Sequence, residues 1–286
     1  MLNTLSQPDR TGPPPPRPPR SLKQEYQEFI IQRIEEYKDT LERTQLLEIG
    51  DEAVRELEVG AHDQYLLTEV LLLEHVDRII ARRLRLPSFG RWRQRHRRLR
   101  EAQRQPTHWG LDPDAPVARL STGLESGDQA IVIGAAAAPI ALLLAARDVD
   151  VILLDQDLGA IEAAESRAVS EQLAARFQAL VINFGGWLPD LLPNLVVLDP
   201  AALAPARARD RRTLILDLQT RTRPGGSHVV LPTQREGPGS VIPLAPESLQ
   251  GEYQTWQVER KKRAKRGAGF VATKPRQGDT RANVSE

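Results

Sequence analysis

Two hydrophobic patterns divide the chain. Between residues 22 and 104, apolar side chains recur every three or four positions, as they do along amphipathic helices. Between residues 129 and 231, short uninterrupted apolar runs alternate with longer mixed segments, which is typical of buried parallel strands joined by helices. The sequence therefore predicts an α-helical N-terminal region followed by an α/β domain.

The N-terminal region is predicted to contain four helices. The first starts at Leu22 and has an apolar stripe made by Tyr26, Ile30, Ile34, Tyr37 and Leu41. The others are predicted at Thr44–Leu57, Ala61–Leu86 and Trp92–Arg104. The third has the widest apolar face, so we expect it to be the central helix; that face comprises Leu66, Val70, Leu73, Val76 and Ile80.

The α/β pattern is clearest in residues 129–157, QAIVIGAAAAPIALLLAARDVDVILLDQD. Ala130–Ile133 and Val149–Leu154 are apolar enough to be buried strands, and Ile140–Ala146 is an apolar helix between them. Gly134–Ala138 offers no bulky side chain, so a ligand could approach the backbone there. The alternative is a membrane helix, because residues 130–146 carry no polar side chain; the glycine, a proline and the following strand favour a βαβ unit.

The alternation continues beyond this unit. Further elements are predicted at Leu158–Arg176 (helix), Ala179–Ile182 (strand), Leu195–Leu198 (strand), about Ala204–Thr222 (helix), His228–Leu231 (strand) and Pro246–Leu249 (helix). Two final strands, Gln254–Lys261 and Gly269–Lys274, would form a hairpin at the sheet edge. The fold class is therefore a Rossmann-like, doubly wound, mostly parallel sheet with a C-terminal antiparallel edge hairpin.

Ligands of such sheets bind outside the carboxyl ends of the strands. Gly134, Asp155, Asn183 and Asp199 all follow predicted strands directly, so they are the candidate binding residues. Asp155 comes 21 residues after Gly134, about where this fold places an acid against ribose hydroxyls.

The amino-acid composition excludes several kinds of site. The chain has no cysteine, which excludes disulfides, thiolate nucleophiles and zinc–thiolate sites, and fits a reducing compartment. With no signal-peptide pattern at the N-terminus, we expect a cytoplasmic protein. The predicted domains are a helical region of residues 22–106 and an α/β domain of residues 107–275. We expect disordered tails on both sides of them, the proline-rich residues 1–21 and the polar residues 276–286.

Charge is segregated although the net charge is only +1. Residues 25–58 contain eleven acids and four bases, whereas residues 82–104 contain ten arginines and one acid. The arginine-rich helix either contacts nucleic acid or pairs with the acid-rich helices, and the overall charge balance favours pairing. His62 and His75 have no spacing that suggests metal binding.

The residues of the C-terminal domain resemble the class I S-adenosylmethionine-dependent methyltransferases of the thiopurine methyltransferase and tellurite-resistance type. The similarity covers Thr107–Pro275 and rests on the order and spacing of several short pieces: HWGLDPDAPVARL, IVIGAAAAPIALLLA, VDVILLDQD, LVVLDP, RPGGSHVVL and a segment from GPGSVIPLAPESLQGEYQTWQVERKK to GAGFVATKP.

This resemblance implies roles for individual residues. It implies that Gly134, Ala136 and Ala138 border the methionine half of S-adenosylmethionine, that Asp155 binds the ribose, and that Asn183 and Phe184 lie by the adenine. It implies that Asp199 lies near the sulfonium and the substrate, as the catalytic candidate, with Trp109 and His108 at the substrate pocket. The sequence departs from the family where Val132, Ala136 and Ala138 replace an acid and two glycines.

Several alternatives stay open. From its position alone, Trp109 is either a lid over the ligand or a hydrophobic staple between domains. A proton acceptor for an alcohol or amine substrate could be Asp199, His108 or His228. Four functions stay open. The protein methylates a small molecule, is a catalytically inactive binding or scaffold protein, is a nicotinamide-dependent oxidoreductase, or methylates RNA with the help of the arginine-rich helix. The N-terminal helices are either a lid over the substrate or a homodimer surface.

Overall fold

The computed structural model describes residues 21–60, 69–233, 244–259 and 269–276. The chain divides into two compact units, one formed by residues 18–100 and one that begins at Glu101, and the boundary falls within the fourth helix. Predictions for the N-terminal tail, for the start of the third helix and for the basic turn of the edge hairpin lie outside the described residues.

The N-terminal unit is helical, as predicted. Its helices are α1 (Leu22–Thr40), α2 (Arg43–Gly60), α3 (Glu69–Arg83) and α4 (Phe89–Gln103), the last of which ends beyond the unit boundary. Ser21 starts α1 with a capping box, because its hydroxyl accepts from the Gln24 amide and the Gln24 side chain accepts from the Ser21 amide. One hydrophobic cluster of this unit takes its buried residues from α1, α2 and α3: Ile34, Ile49, Ala53, Val76, Ile79 and Ile80.

Helix α3 packs against both α1 and α2, but its apolar face is only partly buried. Val76, Ile79 and Ile80 lie in the core, whereas Val70 and Leu73 are 64% and 54% exposed. Helix α3 therefore contacts both neighbouring helices, as expected of a central helix, but the first part of its predicted apolar face is exposed.

The C-terminal unit contains a seven-stranded sheet of order β3-β2-β1-β4-β5-β7-β6. Its strands are β1 (Gln129–Ile133), β2 (Asp150–Asp155), β3 (Phe177–Val181), β4 (Leu195–Leu198), β5 (Ser227–Val230), β6 (Gln257–Glu259) and β7 (Phe270–Thr273). The first five strands run parallel, and β7 is antiparallel to both β5 and β6. This topology confirms the predicted fold class, including the edge hairpin.

Helices cover both faces of the sheet. Alternate β1 residues are buried in different cores: Ala130 and Val132 pack with α6 (Ala138–Ala146) and α7 (Leu158–Ser170), and Ile131 and Ile133 pack towards α9 (Ala208–Arg221). The short helices α5 (Pro116–Leu120), α8 (Pro200–Leu203) and α10 (Pro246–Leu249) complete the unit. The continuous apolar runs of the sequence thus reflect strands that are buried on both faces.

Two predicted helices were too long. Helix α7 ends at Ser170 because Gln172 adopts a left-handed φ of 58° and the Leu173 amide returns to the Ala168 carbonyl, a helix-ending arrangement that buries Leu173. The helix predicted at about Ala204–Thr222 starts only at Ala208, because the segment between α8 and α9 contains Pro205, which has no amide hydrogen to donate.

The apolar run of residues 130–146 is a strand and a nine-residue helix separated by the turn at Gly134. Among the described residues, no helix is both long and apolar enough to cross a membrane.

Candidate functional site

The carboxyl ends of β1, β2 and β4 bring the predicted site residues together. Ile133 is in register with Leu154 on one side and with Leu198 on the other. The Gly134 amide donates to the Leu154 carbonyl and the Asp199 amide donates to the Ile133 carbonyl, both at 2.9 Å. Gly134, Asp155 and Asp199 therefore lie side by side at one edge of the sheet, where doubly wound folds bind ligands.

Gly134 fits closely between β1 and the chain that follows β4. Its φ is 103°, a conformation that side chains rarely adopt. A β-carbon added at this position would lie 2.7 Å from the Asp199 Cβ and 3.0 Å from the Ala202 Cβ. The backbone and the close contact both require glycine here, and the small Ala202 was a feature that sequence reasoning missed.

The Asp155 carboxylate is fixed by three backbone amides. Its Oδ2 accepts from the Ala135 amide at 2.5 Å, and its Oδ1 accepts from the Gln156 and Asp157 amides at 2.6 and 2.9 Å. Because each carboxylate oxygen can accept about two hydrogen bonds, Oδ2 retains capacity for a further donor. Asp155 thus links the end of β2 to the turn after Gly134 and can still bind a hydroxyl group.

Asp199 caps helix α8 with one carboxylate oxygen. Its Oδ1 accepts from the Ala201 amide at 2.9 Å, whereas no hydrogen bond to Oδ2 is found in the described part of the chain. Burial raises the pKa of the Asp199 carboxyl, the nearby charge of Asp155 raises it further, and the bond from Ala201 opposes the rise. A partly buried carboxylate with a raised pKa is a suitable proton acceptor.

The site is negatively charged. In the described ranges no lysine, arginine or histidine forms an ion pair with Asp155 or Asp199. Two uncompensated carboxylates favour a ligand that carries hydroxyl donors or positive charge, and they disfavour phosphate.

The alanines of the turn after Gly134 differ in exposure. Ala136 is exposed and Ala138 is half-buried, in the turn and first residue of α6, whereas Ala137 between them is buried. Val132 of β1 is fully buried in the core. The site therefore lacks a carboxylate on β1 and depends on those that follow β2 and β4.

The segment after β3 has its two predicted residues in different environments. Asn183 is exposed at the strand end, and the Phe184 side chain is buried in the core beside α9. Gly185 holds this segment against α9, since a β-carbon there would lie 2.8 Å from the Asp210 Cβ. Trp187, which sequence reasoning did not consider, is 63% exposed in the same loop.

Trp109 and His108 contact the far end of helix α7. The buried Trp109 donates from Nε1 to the Gln103 carbonyl at 2.6 Å, and the Arg167 guanidinium lies 5.4 Å from its ring. The His108 Nε2 lies 3.8 Å from the Glu171 carboxylate. Helix α7 starts just after Asp155 and has 13 residues, so its end lies about 20 Å further along its axis. The structure thus does not bring these two side chains to the strand ends.

His228 is buried inside the unit and has no access to the site edge. Its Nε2 is 2.8 Å from the Thr222 Oγ1, and its Nδ1 is 2.8 Å from the Tyr253 hydroxyl. Burial lowers its pKa to about 3, and the charge of Lys274 contributes. Because both ring nitrogens are engaged in the core, the suggestion that His228 is a catalytic base was wrong.

Comparisons with known proteins found related structures only. No protein-family model matches the sequence, and no significant match to a curated protein was found. The N-methyltransferase NodS from Bradyrhizobium japonicum WM9 is 17% identical with a TM-score of 0.44, over 57% of this chain and 99% of NodS. TehB from Haemophilus influenzae is 13% identical with a TM-score of 0.44, over 55% of this chain and 61% of TehB.

A third similar structure is the glycopeptide N-methyltransferase MtfA complexed with S-adenosyl-L-methionine. It is 13% identical with a TM-score of 0.44, over 58% of this chain and 94% of MtfA. At these low values the fold class follows from the strand order of the chain itself and not from the superpositions.

Proposed function

We propose that the protein is an S-adenosylmethionine-dependent methyltransferase with a small-molecule acceptor, of the thiopurine methyltransferase and tellurite-resistance type. The observation that carries this proposal is the pair of carboxylates, Asp155 and Asp199, on either side of Gly134 at the carboxyl edge of the sheet. The order of the family motifs along residues 107–275 supports it.

The charge of the site favours this cofactor over a nicotinamide dinucleotide. S-adenosylmethionine has a positive sulfonium and ribose hydroxyls, which suit carboxylates, whereas a dinucleotide has a pyrophosphate that two uncompensated carboxylates would repel. The residues fit the group: Asp155 Oδ2 can accept from a ribose hydroxyl, and the small side chains from Gly134 to Ala138 leave the turn open to a ligand.

When bound, the cofactor supplies an electrophilic methyl group. The residues of this chain would then hold the acceptor in line with it and exclude water from the reacting atoms. We assign Asp199 as the catalytic residue, because its Oδ2 can hold an amine or accept the proton that an alcohol or amine loses. Its raised pKa brings it closer to the working range of a general base near neutral pH.

The remaining assignments are part of the same proposal. Asn183 and Phe184 are the candidate residues on the adenine side, and Ala136 and Ala138 border the methionine side. Trp109 and His108 could reach a substrate only if the acceptor extends well away from the strand ends. The lack of cysteine supports a cytoplasmic location.

Calorimetric titration with S-adenosylhomocysteine, using NADH as the comparison ligand, tests the proposal. We expect binding of S-adenosylhomocysteine with a Kd on the order of micromolar and no binding of NADH. Binding of NADH alone would indicate an oxidoreductase. Binding of neither would favour the inactive scaffold role, for which Ala136 and Ala138 are the relevant sequence departures.

A further inference from the structure

The exposed positions in the middle of helix α4 are mostly arginine. The helix buries Trp92 and His96, which are 4% and 6% exposed. Among positions 91 to 98, Gln94 is the one exposed residue that is not an arginine; the exposed arginines are Arg91, Arg93, Arg95, Arg97 and Arg98. We call these five residues the arginine face.

The arginine face has two rows. At 3.6 residues per turn, Arg91, Arg95 and Arg98 lie within about 60° of one another and rise along the axis in steps of about 6 and 4.5 Å. Arg93 and Arg97 form a second row on the other side of the buried stripe. The face thus concentrates five positive charges within about 10 Å of helix axis.

The arginine face forms no ion pair in the part of the chain that the structure describes, although Glu25 pairs with the buried His96 of the same helix. No carboxylate there lies within ion-pair distance of its five guanidinium groups, while Arg93 lies over the Phe89 ring. Two acids of α2 pair with α3 instead, Glu56 with Arg82 and Glu52 with Arg83. Pairing with the acid-rich helices therefore explains Arg82 and Arg83 but not the arginine face.

This arrangement opposes helix stability when no anion is bound. Like charges three or four positions apart, such as Arg91 with Arg95 and Arg95 with Arg98, destabilise a helix. A polyanion on this surface would remove that repulsion. A surface selected only for solubility would mix charges of both signs.

We infer that the arginine face binds the phosphate backbone of nucleic acid. The density of guanidinium groups complements a polymer with one negative charge per about 1.7 Å of duplex axis. A membrane surface is a poorer partner, because interfacial helices also present apolar side chains, and Trp92 is buried in α4. Because backbone contacts read no bases, the binding should show no sequence preference. This inference is independent of the proposed cofactor site.

The test is fluorescence anisotropy of the full-length protein with a labelled short RNA duplex and the matching DNA duplex at several salt concentrations. We expect both to bind at low salt, with an affinity that falls steeply as salt rises. The triple variant Arg91→Gln, Arg95→Gln, Arg98→Gln should reduce the slope of log K against log salt by about 2 to 3 and weaken low-salt binding by at least about tenfold.

A control variant removes three positive charges from another part of the chain. Arg119, Arg209 and Arg223 are exposed in the C-terminal unit and form no ion pair among the described residues, so their triple replacement by Gln should change affinity by less than about twofold. Circular dichroism verifies that both variants keep their helix content. An equal loss in both triples would overturn the inference. So would wild-type protein that binds neither duplex, or that binds only vesicles of phosphatidylcholine and phosphatidylserine.

Discussion

Asp199 lies directly against the α-carbon of Gly134, although 64 residues separate them in the chain. A β-carbon built at residue 134 would be 2.7 Å from the Asp199 Cβ and 3.2 Å from its Oδ2. The turn after β1 and the start of α8 therefore share one surface, and changes on either side of it should alter both stability and ligand binding.

Replacement of Gly134 by Ala should destabilise the protein by about 2 to 4 kcal/mol, because the new methyl group would force apart Asp199 and Ala202 and would require a left-handed φ. Thermal and denaturant unfolding measure the loss, and S-adenosylhomocysteine titration measures the accompanying loss of affinity. Gly123→Ala is the control, since no atom lies near its added β-carbon; it should change stability by no more than about 1 kcal/mol. Equal effects of the two substitutions would contradict this account.

Replacement of Asp155 by Asn should weaken S-adenosylhomocysteine binding by at least about tenfold and destabilise the protein by about 1 to 2 kcal/mol. An amide group cannot accept from all three backbone amides that now surround the carboxylate. Asp157→Asn removes the same charge but preserves an oxygen that can cap α7 at Ala160. Calorimetry of both variants should show unchanged affinity in the control; a parallel decrease in both would mean that charge alone matters.

Replacement of Asp199 by Asn should abolish catalysis while stabilising the protein at neutral pH by on the order of 1 kcal/mol. The substitution keeps an oxygen that can accept from Ala201 and removes a charge that burial and Asp155 both oppose. Because the pKa of Asp199 is raised in the folded state, ionisation costs stability as pH rises, so the gain should vanish below the ordinary value of 3.8. Chemical denaturation at several pH values measures this gain in stability. A loss of stability at pH 7 would contradict the account that burial and Asp155 destabilise the ionised carboxylate.

His228 should make the C-terminal unit acid-sensitive. Its pKa falls from about 6.5 to about 3 on folding, so between these values the unfolded chain binds a proton that the folded chain does not. Stability should therefore fall as pH drops below 6.5, by about 1.4 kcal/mol per pH unit from this residue alone. The variant His228→Gln should be less stable at pH 7 but should lose this part of the pH dependence. Parallel stability curves for both proteins between pH 6 and 4 would contradict the prediction.

Much of the fold could be predicted because the signals are local. Ala130–Ile133 and Leu195–Leu198 are continuous apolar runs that suit strands buried on both faces. The edge pair was predicted from two short segments on either side of a basic turn in the sequence. Helix ends were less predictable. Leu173 continues the apolar pattern of α7 in the sequence, yet it reaches the core only because the chain turns back before it.

The sequence by itself determined the elements of the sheet and the residues that end its strands, because the apolar pattern indicates which segments are buried strands. The sequence could not determine which side chains those residues contact in the folded protein. Only the tertiary structure decided that Asp199 lies against Gly134, that His228 is buried in the core, and that no described carboxylate lies within ion-pair distance of the arginine face. These are contacts between residues far apart in the chain, and they depend on packing distances that local pattern does not encode.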